Sequence, residues 1–115
     1  METHNPNESP AIRQLSAPEL KALIDSGISV ELVDVRTHEE RTIAKLEGSR
    51  LLDQAYHDYL LGLDRHAVIV FQCHHGIRSQ SAAEYFLREG FRNLSNLQGG
   101  LDAWSRLVDP SVPRY

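Results

Sequence analysis

Sulfur is nearly absent from this chain, which has one cysteine, Cys73, and one methionine among its 115 residues. A lone cysteine excludes an internal disulfide, and the expected setting is the reducing cytoplasm. Excess positive charge is missing too. Twelve Lys and Arg stand against 16 Asp and Glu, a net charge of −4. That sign argues against coating a phosphate backbone, so no nucleic-acid partner is expected. Long apolar runs are also lacking. The longest, residues 67–71, falls far short of the roughly 20 residues of a membrane helix. The opening METHNPNESPAIRQL has no basic segment followed by an apolar one, so neither a secretion signal nor a membrane partner is expected.

What is present suits one globular domain. Apolar residues make up 41% and charged residues 24%, a balance that supports a single core at this length. Residues 1–11, with paired prolines and asparagines, are expected to be a tail. Residues 12–108 should form the domain and 109–115 a second short tail, and nothing in the pattern demands more than a monomer.

Helix and strand signals alternate along the domain. Ser16-Ala17-Pro18-Glu19 matches a capping box, in which the serine accepts from first-turn amides and the glutamate reaches back. It predicts a helix over 17–26, with Leu20, Leu23 and Ile24 on one stripe. Residues 30–35 read as a strand, and Thr37-His38-Glu39-Glu40 repeats the capping box for a short helix. Residues 49–52 suggest another strand, and Asp53 caps the helix carrying Tyr56, Tyr59, Leu60 and Leu63. The β-branched run 67–71 has the character of a central, doubly buried parallel strand. A helix over 79–89, a strand over 93–97 and a helix over 101–107 complete the chain. The expected fold class is α/β, a single open parallel sheet with helices on both faces.

In such sheets ligands bind beyond the carboxyl ends of the strands. The most hydrophobic strand leads directly into Cys73-His74-His75-Gly76-Ile77-Arg78-Ser79, and a helix follows. A thiol placed there lies among loop amides and at the positive end of a helix dipole, both of which favour the nucleophilic thiolate. Gly76 gives the loop conformational freedom. Arg78 puts a cation at a helix start, where it opposes the dipole unless something anionic compensates. Cys73 with His74 and His75 invites a metal reading, but contiguous ligands on so short a loop rarely surround an ion, and no metal is expected.

The loop Cys-x-x-Gly-x-Arg between a hydrophobic strand and a helix resembles the active-site loop of the rhodanese family. Leu32-Val33-Asp34-Val35-Arg36 resembles that family's first core strand with its terminal Asp-x-Arg. Gly48-Ser49 is similar to the turn before its next strand, and Leu97-Gln98-Gly99-Gly100 with Trp104 to its closing helix. The resemblance spans about Ser16 to Leu107. Where many members carry Gly-His-Ile-Pro-Gly-Ala, this chain has Ala44-Lys45-Leu46-Glu47-Gly48-Ser49, a change at the pocket mouth.

The resemblance implies a thiosulfate-type sulfurtransferase without a cofactor. Cys73 would take a sulfane sulfur as a persulfide from a donor such as thiosulfate and yield it to a thiol or to cyanide. His74, His75, Gly76, Ile77, Arg78 and Ser79 would cradle the substrate, with Asp34, Arg36, Gly99 and Gly100 in support. Two rival readings fit the pattern less well. A phosphatase of the cell-cycle type, similar in fold, sets one more residue between cysteine and arginine than the four found here. A non-catalytic module would be expected to lose the nucleophile or the loop glycine, and this chain has both.

Overall fold

The computed structural model describes residues 11–115; apart from Ala11, the expected tail over residues 1–11 lies outside them. Local chemistry sets the first helices. Ser16 Oγ accepts from the amide of Glu19 (3.2 Å), and Glu19 Oε1 accepts from the amide of Ser16 (2.8 Å), which starts α1, Ala17–Asp25. Thr37 and Glu40 make the same reciprocal pair at 3.1 and 3.2 Å and start α2, His38–Ile43. Asp53 accepts from the amide of Tyr56 (2.8 Å) ahead of α3, Gln54–Leu61. Each cap satisfies amides that a first turn leaves without partners.

Among the described residues five strands form one sheet: β1 Arg13–Leu15, β2 Glu31–Asp34, β3 Arg50–Leu51, β4 Ile69–Gln72 and β5 Leu94–Leu97. Their order is β1-β5-β4-β2-β3, and every pairing is parallel. β4 is therefore the central strand, and all four of its residues are buried. β1 went unread in the sequence. It is three residues long with two exposed, so it carries no alternation to read, and it takes its place at the edge by its register against β5.

The pleat of β4 divides the core. Ile69 and Phe71 point into one cluster with Tyr56 and Leu60 of α3 and with Ala83 and Phe86 of α4, Ile77–Arg88. Val70 points into the other, with Leu20 of α1 and with Leu101 and Trp104 of α5, Gly100–Leu107. Helices thus cover both faces, as alternating elements predict. Phe71 and Phe86 are almost wholly buried, with ring centroids 5.4 Å apart. Burying each side chain contributes about 1.5–3 kcal/mol.

Beyond the strands, buried charge fixes the loops. Asp34 accepts from Arg36 Nε (3.0 Å) and Nη2 (2.8 Å) and from Arg41 Nη1 (2.8 Å). Arg36 also reaches the carbonyl of Ala44 at 2.8 Å. Burial pushes the Asp34 carboxyl up, but the bonds from Arg36 and Arg41 outweigh it and hold the group below its ordinary value. Removing one member of such a buried set costs on the order of 3–5 kcal/mol. Among the described residues no helix is long and apolar enough to cross a membrane.

Candidate active site

Cys73 follows the last residue of β4 and is 1% exposed. Its sulfur lies beneath the first turn of α4. Sγ accepts from the amides of Gly76 (3.1 Å) and Ser79 (3.4 Å). These are the cap residue and a first-turn residue of a helix that has no side-chain cap of the usual kind. Sulfur thus does what a serine or aspartate oxygen does at other helix starts. Gly76 makes this possible with φ +98°, the left-handed region that favours glycine. The helix begins two residues earlier than the expected Ser79, because no polar side chain marks its start.

Ser79 is the third partner. Its Oγ sits 3.3 Å from Cys73 Sγ and donates to Asn96 Oδ1 at 2.5 Å. Asn96 Nδ2 in turn donates to the carbonyl of Gly76 and to Gln14 Oε1, both at 3.0 Å. One hydroxyl proton therefore faces two acceptors, the asparagine oxygen and the sulfur, and turns to the sulfur when that sulfur is an anion. Burial pushes the Cys73 thiol up. The Ser79 hydroxyl and the amides of Ser79, Gly76 and His75 more than offset it, leaving the thiol below its ordinary value.

The loop is fixed from below by the start of α5. The amides of Leu101 and Asp102 donate to the carbonyls of Cys73 (2.8 Å) and His74 (3.1 Å). A Cβ at Gly100 would stand 2.4–2.5 Å from those backbone atoms, and one at Gly99 would stand 2.7 Å from Ala103 Cβ. Of the two glycines, read from the sequence as a turn near the site, Gly100 is needed for this approach and Gly99 for the turn that starts α5.

The outer wall differs from expectation. Arg78 is no free cation at the mouth, because its Nη1 and Nη2 donate to Glu40 Oε1 (2.7 Å) and Oε2 (2.9 Å). Glu40 is the anion that compensates the Arg78 cation at the helix start. Tyr115 joins the pair, accepting from Arg36 Nη1 (2.7 Å) and donating to Glu40 Oε2 (2.7 Å). The Tyr115 ring stacks on His74 with centroids 3.9 Å apart and planes 7° from parallel. His75 stacks on His74 at 3.9 Å. Burial, and then the charge of His75, hold His74 below its ordinary value. Ile77, expected to line the pocket, is 78% exposed and borders an open groove with Gln14, Gln80 and Glu84.

His74, His75 and Asp102 offer metal-ligand atoms within 4.8 Å of one another. The Asp102 carboxylate, however, already accepts from Arg106 (3.1 Å) and Arg114 (2.9 Å). Glu40, Asn96 and Tyr115 escaped the sequence reading as site residues. Glu40 was visible only as a helix cap, Asn96 as a strand residue and Tyr115 as part of a tail.

Known proteins share this architecture. The thiosulfate sulfurtransferase GlpE of Pseudomonas aeruginosa is 33% identical over 104 residues, covering 90% of this chain and 92% of that protein. GlpE of Ectopseudomonas mendocina is 34% identical over 100 residues, covering 86% and 89%. A rhodanese-like domain protein from Staphylococcus aureus superposes with a TM-score of 0.72 at 26% identity, covering 90% of this chain and 99% of that one. The model of the rhodanese-like domain matches residues 16–107, and with that match the chain belongs to the rhodanese-like domain family.

Proposed function

We propose that this chain is a thiosulfate-type sulfurtransferase with Cys73 as its nucleophile. The Cys73 thiolate attacks the sulfane sulfur of the donor, the sulfur–sulfur bond breaks, and sulfite leaves with the bonding pair. The resulting persulfide then loses its outer sulfur to an external thiol or to cyanide, and Cys73 returns as the thiolate. The observation that carries this reading is the buried sulfur of Cys73 accepting from the amides of Gly76 and Ser79 at the carboxyl end of the central strand. Amide donors and a helix start stabilise a sulfur anion without offering an acidic proton that would quench it.

Each remaining residue has a part in the proposal. The amides of His75, Gly76 and Ser79 and the Ser79 hydroxyl hold the anion. Arg78 meets the anionic donor, while His74 and His75 wall the mouth. Asp34, Arg36, Gly99 and Gly100 keep the loop in place. Because the chain has no second cysteine, the acceptor is external, a small thiol or a protein thiol, and a monomer in a reducing cytoplasm suffices. The phosphatase reading is weaker. The residue one step past Arg78 is Ser79, whose hydroxyl is turned inward to the sulfur and to Asn96.

Intact mass after incubation with thiosulfate tests the proposal. One sulfur atom should be added and then removed by cyanide or a thiol, and Cys73→Ser should abolish both the adduct and sulfite release. Sulfite release that persists in that variant would overturn the assignment.

A further inference from the structure

One carboxamide holds two of the groups that meet the sulfur. Asn96 stands on β5, in register with Gln14 of β1 and Phe71 of β4, and is 3% exposed. Its Nδ2 carries two protons and spends both, one on the carbonyl of Gly76 and one on Gln14 Oε1, each at 3.0 Å. Gln14 is held in turn, because its Nε2 donates to Gln80 Oε1 at 2.7 Å. This network sets the orientation of the Asn96 amide, with Oδ1 facing the Ser79 hydroxyl at 2.5 Å. Ser79 is buried. Its single hydroxyl proton is shared between Asn96 Oδ1 and Cys73 Sγ, which lies 3.3 Å from Oγ.

Which acceptor wins depends on the state of the sulfur. A thiol donates its own proton to Ser79 Oγ, and the hydroxyl donates onward to Asn96. A thiolate is a charged acceptor and draws the hydroxyl to itself. When the persulfide forms, Sγ bonds to the sulfane sulfur, sulfite departs with the electron pair, and the negative charge lies on the outer sulfur. Sγ is then a neutral, weak acceptor, and the hydroxyl returns to Asn96. We propose that Asn96 is a positioning residue for the loaded state, holding the Ser79 hydroxyl in the thiol and the persulfide and yielding it to Cys73 in the thiolate. The hydroxyl rotates, and its proton is never transferred. Asn96 thereby keeps a buried donor satisfied once Sγ has lost its charge, and favours the persulfide over the thiolate. For its loaded state the inference rests on the proposed sulfur transfer.

Asn96→Leu removes the acceptor at similar volume. If Asn96 only braced the loop, its loss would loosen the Gly76 and Ser79 donors and raise the Cys73 midpoint. The opposite is expected. Alkylation by iodoacetamide against pH should give a midpoint lower by roughly half a unit to one unit in Asn96→Leu. The fall should vanish when the substitution is made in Ser79→Ala. The charged groups about the loop, Arg78, Glu40, His74, His75 and Asp102, are the same throughout. Above the midpoint and at a fixed ratio of thiosulfate to sulfite, the persulfide-to-unloaded ratio by intact mass should fall roughly two- to tenfold in Asn96→Leu. The unsubstituted protein decides the matter if that variant does not fold. The side-chain amide signals of Asn96 in NMR should move with the Cys73 titration, return toward their low-pH position on loading with thiosulfate, and lose most of that movement in Ser79→Ala. The proposal is overturned by an unchanged or raised midpoint in Asn96→Leu, by an equal fall in the Ser79→Ala background, or by Asn96 signals that ignore the titration. Failure of the unsubstituted protein to form a persulfide would instead sink the sulfur-transfer reading, while the midpoints and the titration still decide where the hydroxyl points.

Discussion

The floor and the rim of the pocket come from the same seven residues, 73–79, yet they are built on opposite electrical principles. At the floor, Cys73 and Ser79 are almost fully buried and surrounded by neutral groups: amides and a hydroxyl that donate, with the Asn96 oxygen accepting from that hydroxyl behind them. At the rim, formal charges meet in the Arg78–Glu40 pair, partly in water. Burial makes each floor contact strong, because a lost partner leaves a polar atom unsatisfied in a low-dielectric place. Exposure makes each rim contact weak and sensitive to salt. The floor should therefore govern whether Cys73 reacts at all, and the rim which donor reaches it.

The harshest way to break the floor is from beneath. Gly100→Ala drives a Cβ to within 2.4–2.5 Å of the backbone of Cys73 and His74, and backbone cannot give way as a side-chain tip can. A destabilisation of about 2–4 kcal/mol is expected, visible as a lowered Tm together with slowed alkylation of Cys73. A variant as stable and as reactive as the parent would show that the loop does not depend on this approach.

Breaking the rim should do less. Arg78→Ala removes a cation already compensated by Glu40, so kcat/KM for thiosulfate should fall by roughly tenfold or less, with Tm nearly unchanged. Raised salt should shrink the difference between variant and parent. A loss of a thousandfold would move Arg78 from the rim into the reaction itself and erase the division between floor and rim.

How much of this could be read in advance follows the range of the interactions. The helices α1 and α2 were legible because their caps are written within four residues, Ser16 to Glu19 and Thr37 to Glu40. The central strand was legible because burial on both faces leaves a continuous apolar run. The start of α4 was misplaced because its cap is the sulfur of Cys73 reached through a left-handed glycine, a device without a side-chain signature. β1 is defined by its pairing with β5, 80 or more residues away in sequence. Nothing local joins Glu40 to Arg78, 38 residues on, or to Tyr115, 75 residues on. The residues of the Cys73 loop were thus legible together, while the partners that neutralise and orient them became visible only in three dimensions.

The smallest but most direct effect concerns the sulfur's proton. Hydrogen bonds from Ser79, Gly76 and His75 outweigh burial and hold the Cys73 thiol below its ordinary value. The rate of Cys73 alkylation by iodoacetamide should be followed against pH in the parent and in Ser79→Ala. The parent midpoint should fall below the roughly 8.5 of a free cysteine, and loss of the hydroxyl should raise it by about one pH unit, given about 1.5 kcal/mol for a hydrogen bond to a charged group. A parent midpoint at or above that of free cysteine, unmoved by Ser79→Ala, would mean that desolvation dominates and would contradict the account.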